Sequence, residues 1–280
     1  MKNLRGTNAI LTGASRGLGT YIARTLAARG VNLVLAARDA EKLEETRRSC
    51  ETLGVRAIAV ATDVSSMDVL RRLVETAERE LGAIDILVNN AGIEITASVN
   101  GHSFEQVDAI LRTNLSAPIW LTKLVMPGMI ARRRGTIVNV SSLAGKSATP
   151  YNAIYSASKH GLNGFTASLA IELDGTGVTT GVVCPGFVAD AGMWANTGQK
   201  APRMMREVPA QKVADAVVKV IEGAGEVLVA PGPIRPLFAL AQLFPGVTKI
   251  ATKRLGVLDA MRNRALDVES QPARDKAPVK

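Results

Sequence analysis

Short apolar runs alternate with amphipathic segments along most of the chain, and glycines or capping residues mark the joints. Asn8 to Leu11 is an apolar run closed by Thr12-Gly13, and Leu18 to Ala28 then carries helical spacing that stops before Gly30. Val31 to Ala37 is almost wholly apolar, as expected for a strand buried on both faces, and Asp39 caps a charged helix running to Leu53. The pattern repeats with a strand at Val55 to Ala61, a helix at Met67 to Leu81 and a strand at Ile84 to Val88. Strands separated by helices in this way predict a parallel sheet covered by helices.

Further on, Ser103 with Gln106 three residues later forms a capping-box pattern, and helical spacing runs to Arg133 with a break around Ser116-Ala117-Pro118. Thr136 to Val140 reads as a fifth strand, Asn152 to Leu173 as a helix, and Val178 to Cys184 as a sixth strand ended by Pro185-Gly186. Periodicity lapses over residues 190–209, which hold Gly192, Gly198, Pro202 and three methionines and read as a lid. A helix at Val213 to Ile221 and a strand at Glu226 to Val229 complete seven strands. Beyond Pro231-Gly232-Pro233, Leu237 to Phe244 and Val247 to Ala265 have amphipathic spacing, with Lys249, Lys253, Arg254, Arg262 and Arg264 among the apolar positions. The expected division is an α/β domain over 1–231, a helical extension over 232–266 and a disordered polar tail over 267–280.

Composition narrows the function classes. The chain has 280 residues, of which 47% are hydrophobic, enough for one large α/β domain or two small ones. Its 34 basic and 25 acidic residues leave a net charge of +9, but the charges are interspersed and only 4% of residues are aromatic, so a nucleic-acid surface is not expected. No apolar run reaches the ~18 residues that suggest a membrane span. Met1 to Gly6 leads into a strand without a signal-peptide apolar region, so a soluble cytoplasmic or peripheral protein is expected. Cys50 and Cys184 have neither metal-ligand spacing nor the density of a disulfide framework, and His102 and His160 stand apart, so no metal centre is expected.

Two stretches carry candidate chemistry. Thr12 to Gly19 lies between the first strand and the first helix, where glycines let backbone approach a phosphate and a helix N-terminus supplies N–H donors and positive potential. Tyr155 and Lys159 are four residues apart on a predicted helix, so a phenol and an ammonium share one face. A nearby cation favours the phenolate and makes such a tyrosine a candidate acid/base group. On its own, the spacing also describes a packed tyrosine beside a solvated lysine.

The glycine spacing resembles the short-chain dehydrogenase/reductase family, whose fingerprint is Thr-Gly-x-x-x-Gly-x-Gly. Further family marks follow in order: Asp63-Val64, Asn89-Asn90-Ala91-Gly92, Asn114, Ser142, Tyr155-x-x-x-Lys159 and Pro185-Gly186-Phe187-Val188. The resemblance covers Gly6 to Pro231 and leaves the extension outside it. It implies a Rossmann-like, doubly wound, predominantly parallel seven-stranded sheet and metal-free hydride transfer between a nicotinamide and a carbonyl or secondary alcohol. A homodimer or homotetramer is the corresponding assembly.

The resemblance also implies roles. Tyr155 would be the acid/base, Lys159 would lower its pKa and bind ribose hydroxyls, Ser142 would hydrogen-bond the reacting oxygen, and Asn114 would hold a water linking Lys159 to solvent. Ser142, thirteen residues before Tyr155, matches the family spacing better than Ser141, and Tyr151 lacks a lysine four residues on. Gly13, Ser15, Arg16, Gly17, Leu18, Gly19, Arg38, Asp63, Val64, Asn90, Ala91, Gly92, Pro185, Gly186 and Val188 would contact the cofactor together with Tyr155 and Lys159. Ala37 stands where NAD-using relatives carry Asp, while Arg38 and Arg16 offer guanidiniums to a 2′-phosphate, so NADP(H) is expected over NAD.

One departure stands out: Asp190 occupies a position where the family often has Thr, and a carboxylate cannot donate to a carboxamide oxygen. Met193, Trp194, Met204, Met205 and Val208 suggest an apolar substrate pocket, hence a lipophilic ketone, aldehyde or secondary alcohol. A 3-oxoacyl thioester held on an acidic carrier protein is the alternative substrate, and a non-catalytic dinucleotide-binding scaffold or sensor the alternative class. The extension fits a subunit interface or self-packing better than an anionic membrane surface, because Pro245-Gly246 interrupts its short apolar faces.

Overall fold

In the computed structural model the apolar runs pair into one sheet. The structure describes residues 3–195, 206–232, 234–244, 246, 250, 253–254 and 256–270. Seven strands, β1 (Asn8–Thr12), β2 (Asn32–Ala37), β3 (Ala57–Ala61), β4 (Ile86–Asn89), β5 (Gly135–Val140), β6 (Val178–Pro185) and β7 (Glu226–Val229), lie in the order β3-β2-β1-β4-β5-β6-β7. Every pairing is parallel. The chain begins in the middle, winds to one edge, crosses back to lay β4 beside β1, and then winds to the other edge. Strand order therefore reverses between β1 and β4, and a crevice is expected at the carboxyl ends of those two strands.

Helices α1 (Leu18–Ala27), α2 (Ala40–Glu51), α3 (Met67–Leu81), α4 (Phe104–Leu111), α5 (Ala117–Ala131), α6 (Ala153–Glu172) and α7 (Ala210–Ile221) make the connections. Successive strand residues face opposite ways, and the core divides accordingly. Leu11, Leu33 and Leu35 join Ile22 and Leu26 of α1 and Val213 and Val217 of α7 in one cluster. Ile10 and Val34 join Leu70 and Leu73 of α3 and Leu121 and Val125 of α5 in another.

Some boundaries differ from the apolar pattern for a physical reason. Strands β2 and β4 begin at Asn32 and Ile86, after Val31 and Ile84, which are 0% and 2% exposed without belonging to the ladder. Burial, not pairing, made those positions apolar. The expected break before α5 is a π-helical segment, Arg112–Ser116, and the helix continues through it. Pro118 lacks the N–H that would bond the Asn114 carbonyl in an α-helix, and the turn preceding it is widened. The Ser103 capping box is formed, with Ser103 N donating to Gln106 Oε1 at 3.0 Å and Gln106 N donating to Ser103 Oγ at 3.3 Å.

Helices α8 (Arg235–Leu243) and α9 (Val257–Ser270) follow β7. Helix α9 buries Met261 and Ala265, 2% and 1% exposed, and runs to Ser270 into the polar stretch. Gly198, Pro202, Met204 and Met205 of the expected lid, Lys249 of the extension and the tail beyond Ser270 lie outside the described residues. Among the described residues no helix is long and apolar enough to cross a membrane.

A buried polar ladder fixes α6 against the sheet. Asn89 Nδ2 donates to Asn139 Oδ1 at 2.9 Å, Asn139 Nδ2 donates to Thr166 Oγ1 at 2.9 Å, and Thr166 Oγ1 donates to the Leu162 carbonyl at 2.7 Å. The ladder thus ties β4 and β5 to the helix that carries Tyr155. Removing its middle member strands groups on both sides, so Asn139→Ala is expected to lower the unfolding free energy by about 1–3 kcal/mol, as measured by urea denaturation.

Candidate active site

The crevice at the strand-order reversal opens into a cavity of about 660 Å³. Every residue expected to act in catalysis or to contact the cofactor lines it except Asn114, which is fully buried behind it; of the expected substrate-pocket residues Met193 and Trp194 line it, whereas Val208 is packed in the core. The glycine turn forms one wall. A Cβ at Gly13 would lie 2.8 Å from Ala91 Cα, and one at Gly19 would lie 2.0 Å from the Gly13 carbonyl oxygen, so neither position admits a side chain. Thr12 Oγ1 accepts from the N–H groups of Asn90 and Ala91, both at 3.0 Å, while Asn90 Nδ2 donates to the carbonyls of Thr12 and Gly13 at 3.0 and 3.1 Å. These bonds lock the turn after β1 to the loop after β4. The open backbone at the start of α1 fits the phosphates of a dinucleotide.

Ala37 ends β2 beside this groove, and Arg16 and Arg38 line the same end of it. Asp39 faces α2 instead: its Oδ1 accepts from Lys42 N at 3.1 Å, and that bond, with Lys42 and Arg16 adding to it, holds its pKa below the ordinary value. Asp63 Oδ1 accepts from both the N–H and the hydroxyl of Ser65, at 2.9 and 2.8 Å, which shapes the loop after β3.

Helix α6 brings the reactive groups together. Tyr155 and Lys159 lie on its inner face, 9% and 3% exposed, with Lys159 Nζ 5.7 Å from the centroid of the Tyr155 ring. Lys159 Nζ donates to the Val140 carbonyl at 3.0 Å. Burial lowers its pKa to about 8. Burial also raises the Tyr155 phenol well above its ordinary value, Glu94 pushes in the same direction, and a hydrogen bond with Ser142 acts against both. Desolvation thus dominates, and the influences that oppose it come from Ser142 and Arg264 rather than from Lys159, the group expected to lower the phenol.

Ser142 Oγ accepts from Ala144 N at 3.1 Å and faces Tyr155, whereas the Ser141 hydroxyl is buried and donates to the Lys159 carbonyl at 3.3 Å. Asn114, in the π-helical segment, accepts at Oδ1 from Ile93 N at 2.8 Å and donates from Nδ2 to the Ile93 carbonyl and Ser158 Oγ at 2.9 and 3.1 Å. Its side chain clamps the loop after Gly92 to α6 at Ser158, the residue before Lys159.

The sequence left Asp190 without a role, and the structure supplies one. Its Oδ1 accepts from Ala210 N, the first residue of α7, at 2.8 Å, and its Oδ2 accepts from the Tyr21 hydroxyl at 3.4 Å. The carboxylate satisfies an orphan helix donor and ties α7 to α1.

Glu94, Asn152 and several residues of the extension escaped the sequence reading as site groups. Phe238 of α8 and Val257, Met261 and Arg264 of α9 line the cavity, so the extension closes the active site of its own chain. Arg264 Nη1 bonds Glu94 Oε1 at 3.1 Å, and both side chains are about one-tenth exposed. Asn152 Nδ2 donates to the same Glu94 oxygen at 2.6 Å, and the Arg264 guanidinium lies 5.8 Å from the centroid of the Trp194 ring. Arg264 was visible as one of several basic residues on an amphipathic segment, but nothing local separated it from a solvated arginine.

Lys159 has a testable signature. A buried ammonium whose pKa falls from 10.5 to about 8 opposes folding fully below pH 8, and that opposition disappears as pH rises through 10.5. Between those limits the stability of the wild type should therefore rise relative to that of Lys159→Met, as read from urea unfolding of both proteins at pH 7 and pH 10.5.

Comparison with known proteins agrees with this geometry. The short chain dehydrogenase family matches residues 7–202. Among curated relatives, ketoacyl reductase HetN of Nostoc sp. is 41% identical over 271 residues, covering 95% of this chain and 94% of that protein. The 3-oxoacyl-[acyl-carrier-protein] reductase FabG of Escherichia coli is 35% identical over 221 residues, covering 77% of this chain and 89% of that one. The crystal structure of a metagenomic short-chain oxidoreductase in complex with NADP superposes with a TM-score of 0.72 at 36% identity, over 83% of this chain and all of that one. The chain belongs to the short-chain dehydrogenase/reductase family and is an oxidoreductase.

Proposed function

We propose that the protein is an NADP(H)-dependent ketoreductase acting on lipophilic substrates, with a 3-oxoacyl thioester as its preferred substrate class. The observation that carries this reading is the convergence of Ser142, Tyr155 and Lys159 on one cavity that is also lined by the glycine turn, with Arg16, and by the end of β2, with Arg38. Gly13, Gly17, Gly19, Asn90, Gly186 and Val188 would hold the dinucleotide, which supplies a hydride when bound.

The remaining chemistry falls on side chains. Ser142 donates a hydrogen bond to the carbonyl oxygen of the substrate, and Tyr155 gives that oxygen its proton as charge builds on it. A phenol whose pKa burial has raised keeps its proton at neutral pH, which is the form reduction requires. Oxidation of an alcohol needs the phenolate and hence added positive charge. Lys159 supplies positive charge beside the phenol, and Asn114 holds the loop and helix that frame it.

Arg16 and Arg38, with no carboxylate at Ala37, suit a 2′-phosphate. Phe187, Trp194, Phe238, Val257 and Met261 make the substrate side of the cavity apolar. The names of HetN and FabG support a ketoacyl substrate within that class. Phe104 of α4 and Ile171 of α6, 91% and 79% exposed, favour assembly into a homo-oligomer. With α9 turned into the cavity, the membrane reading of the extension has no support of its own.

Two measurements test the proposal through NADPH absorbance. Tyr155→Phe should lower kcat at least about 100-fold while NADPH binding persists; retained turnover, or binding of NADPH without turnover of any carbonyl by the wild type, argues against it. Replacing Arg16 and Arg38 together by Ala should cut the preference for NADPH over NADH by about tenfold or more, seen as a rise in KM for NADPH alone.

A further inference from the structure

The Glu94–Arg264 pair is out of place for a purely structural contact. It joins the loop after β4 to a helix 170 residues away in sequence, in a cavity that Trp194, Phe238, Val257 and Met261 also line. Both charges are about nine-tenths removed from solvent, where an ion pair gains little over apolar packing and is weak as a stability device. A guanidinium has five N–H donors in a planar fork, and among the described residues this one makes a single hydrogen bond, from Nη1 to Glu94, while its face stacks over Trp194. The pair also lies close enough to Tyr155 for both charges to act on its phenol.

A second, independent observation sits beside it. Asn152, 3% exposed, lies three residues before Tyr155 and lines the same cavity. Its Nδ2 is held by Glu94, which fixes the orientation of the amide, and its Oδ1 is buried with no hydrogen-bond partner among the described residues. A desolvated acceptor without a donor is costly in a folded chain, and a ligand N–H would relieve that cost. Beside the Tyr155 phenol, then, stand guanidinium donors and one enclosed amide acceptor that have no hydrogen-bond partner among the described residues. A plain ketone has nothing for either group. A 3-oxoacyl thioester on an amide-containing arm has a second carbonyl oxygen for the donors and an N–H for the acceptor.

We infer that Arg264 is a specificity-determining residue that donates to the thioester carbonyl of a 3-oxoacyl substrate, with Glu94 and Asn152 as the residues that position it. The inference rests on the ketoreductase reading and adds to it the means by which one class of ketone is preferred. Glu94 keeps the guanidinium from swinging out of the cavity, and Trp194 fixes the plane of the fork.

The test compares two probes with NADPH as reductant: the N-acetylcysteamine thioester of 3-oxohexanoate, which carries both the second carbonyl and an amide N–H, and 2-octanone, which carries neither. The wild type is expected to reduce the thioester with a kcat/KM at least tenfold above that for 2-octanone. Arg264→Met should shrink that ratio to within about threefold, mainly by raising KM for the thioester. Arg264→Lys, which keeps a cation beside Glu94 but loses the fork, should fall between. The double variant Glu94→Gln with Arg264→Met removes both charges and leaves no stranded carboxylate; it should stay as unselective as the single variant. NADPH binding, followed by fluorescence, shows that each variant retains its fold.

A wild type without preference for the thioester, a ratio unchanged in Arg264→Met, or recovery of the ratio in the double variant would overturn the role given to Arg264 while leaving the ketoreductase reading in place. A wild type that binds NADPH yet reduces neither probe overturns both. Loss of NADPH binding in all three Arg264 variants would make the residue structural and overturn the inference as well.

Discussion

A lysine ammonium enclosed by protein is the constraint around which this fold is arranged. Lys159 is 3% exposed, and its one hydrogen bond to the Val140 carbonyl replaces only part of the hydration it gave up. Such a group survives in a marginally stable domain only where the surrounding structure holds it in place. Here that structure is the Asn89–Asn139–Thr166 ladder, the Asn114 clamp and the Ser141 bond to the helix backbone. All of them act on α6, and none of them touches the ammonium. The helix is held so firmly that its most awkward residue has nowhere else to go.

The two halves of the cavity were unequally legible in the sequence, and the difference is one of distance along the chain. The glycine turn, the Tyr155–Lys159 spacing and the strand–helix alternation are local patterns, each decided within about one or two helical turns. The sheet order follows from them through the rule that connected parallel strands wind in one hand. The π-helical segment was less legible: Pro118 marked the disturbance, but whether a proline breaks a helix or widens the turn before it depends on what packs around that turn, here Ser158 of α6 against Asn114. The Glu94–Arg264 contact was not legible at all. Its partners stand 170 residues apart, and a charged residue on an amphipathic segment reads as solvated until the tertiary fold places it.

Asp190 shows the same limit from the other side. Compared with a family pattern it looked like a lost threonine. In the folded chain its carboxylate accepts from the first N–H of α7 and from Tyr21, so the position serves helix packing. Its neighbours are tied just as closely: Phe187 and Trp194 meet edge to face at 4.4 Å, Trp194 Nε1 donates to Glu207 at 2.8 Å, and Val188 bridges to Val208. The two ends of the 190–209 stretch are thereby pinned together beside the cavity mouth.

The position of α9 has a practical and an evolutionary side. The glycine turn and the Ser142, Tyr155 and Lys159 side chains come from the first 190 or so residues, while one wall of the cavity comes from the 14-residue helix α9, beyond the 7–202 span of the family match. A wall carried on a helix that follows the last strand is an exchangeable part: it can be replaced, lengthened or re-sequenced without disturbing sheet register or the Tyr155–Lys159 spacing. For anyone handling the protein, the carboxyl-terminal region is consequently a poor place for a fusion or a trimmed end, and a promising one for redesigning what the enzyme accepts.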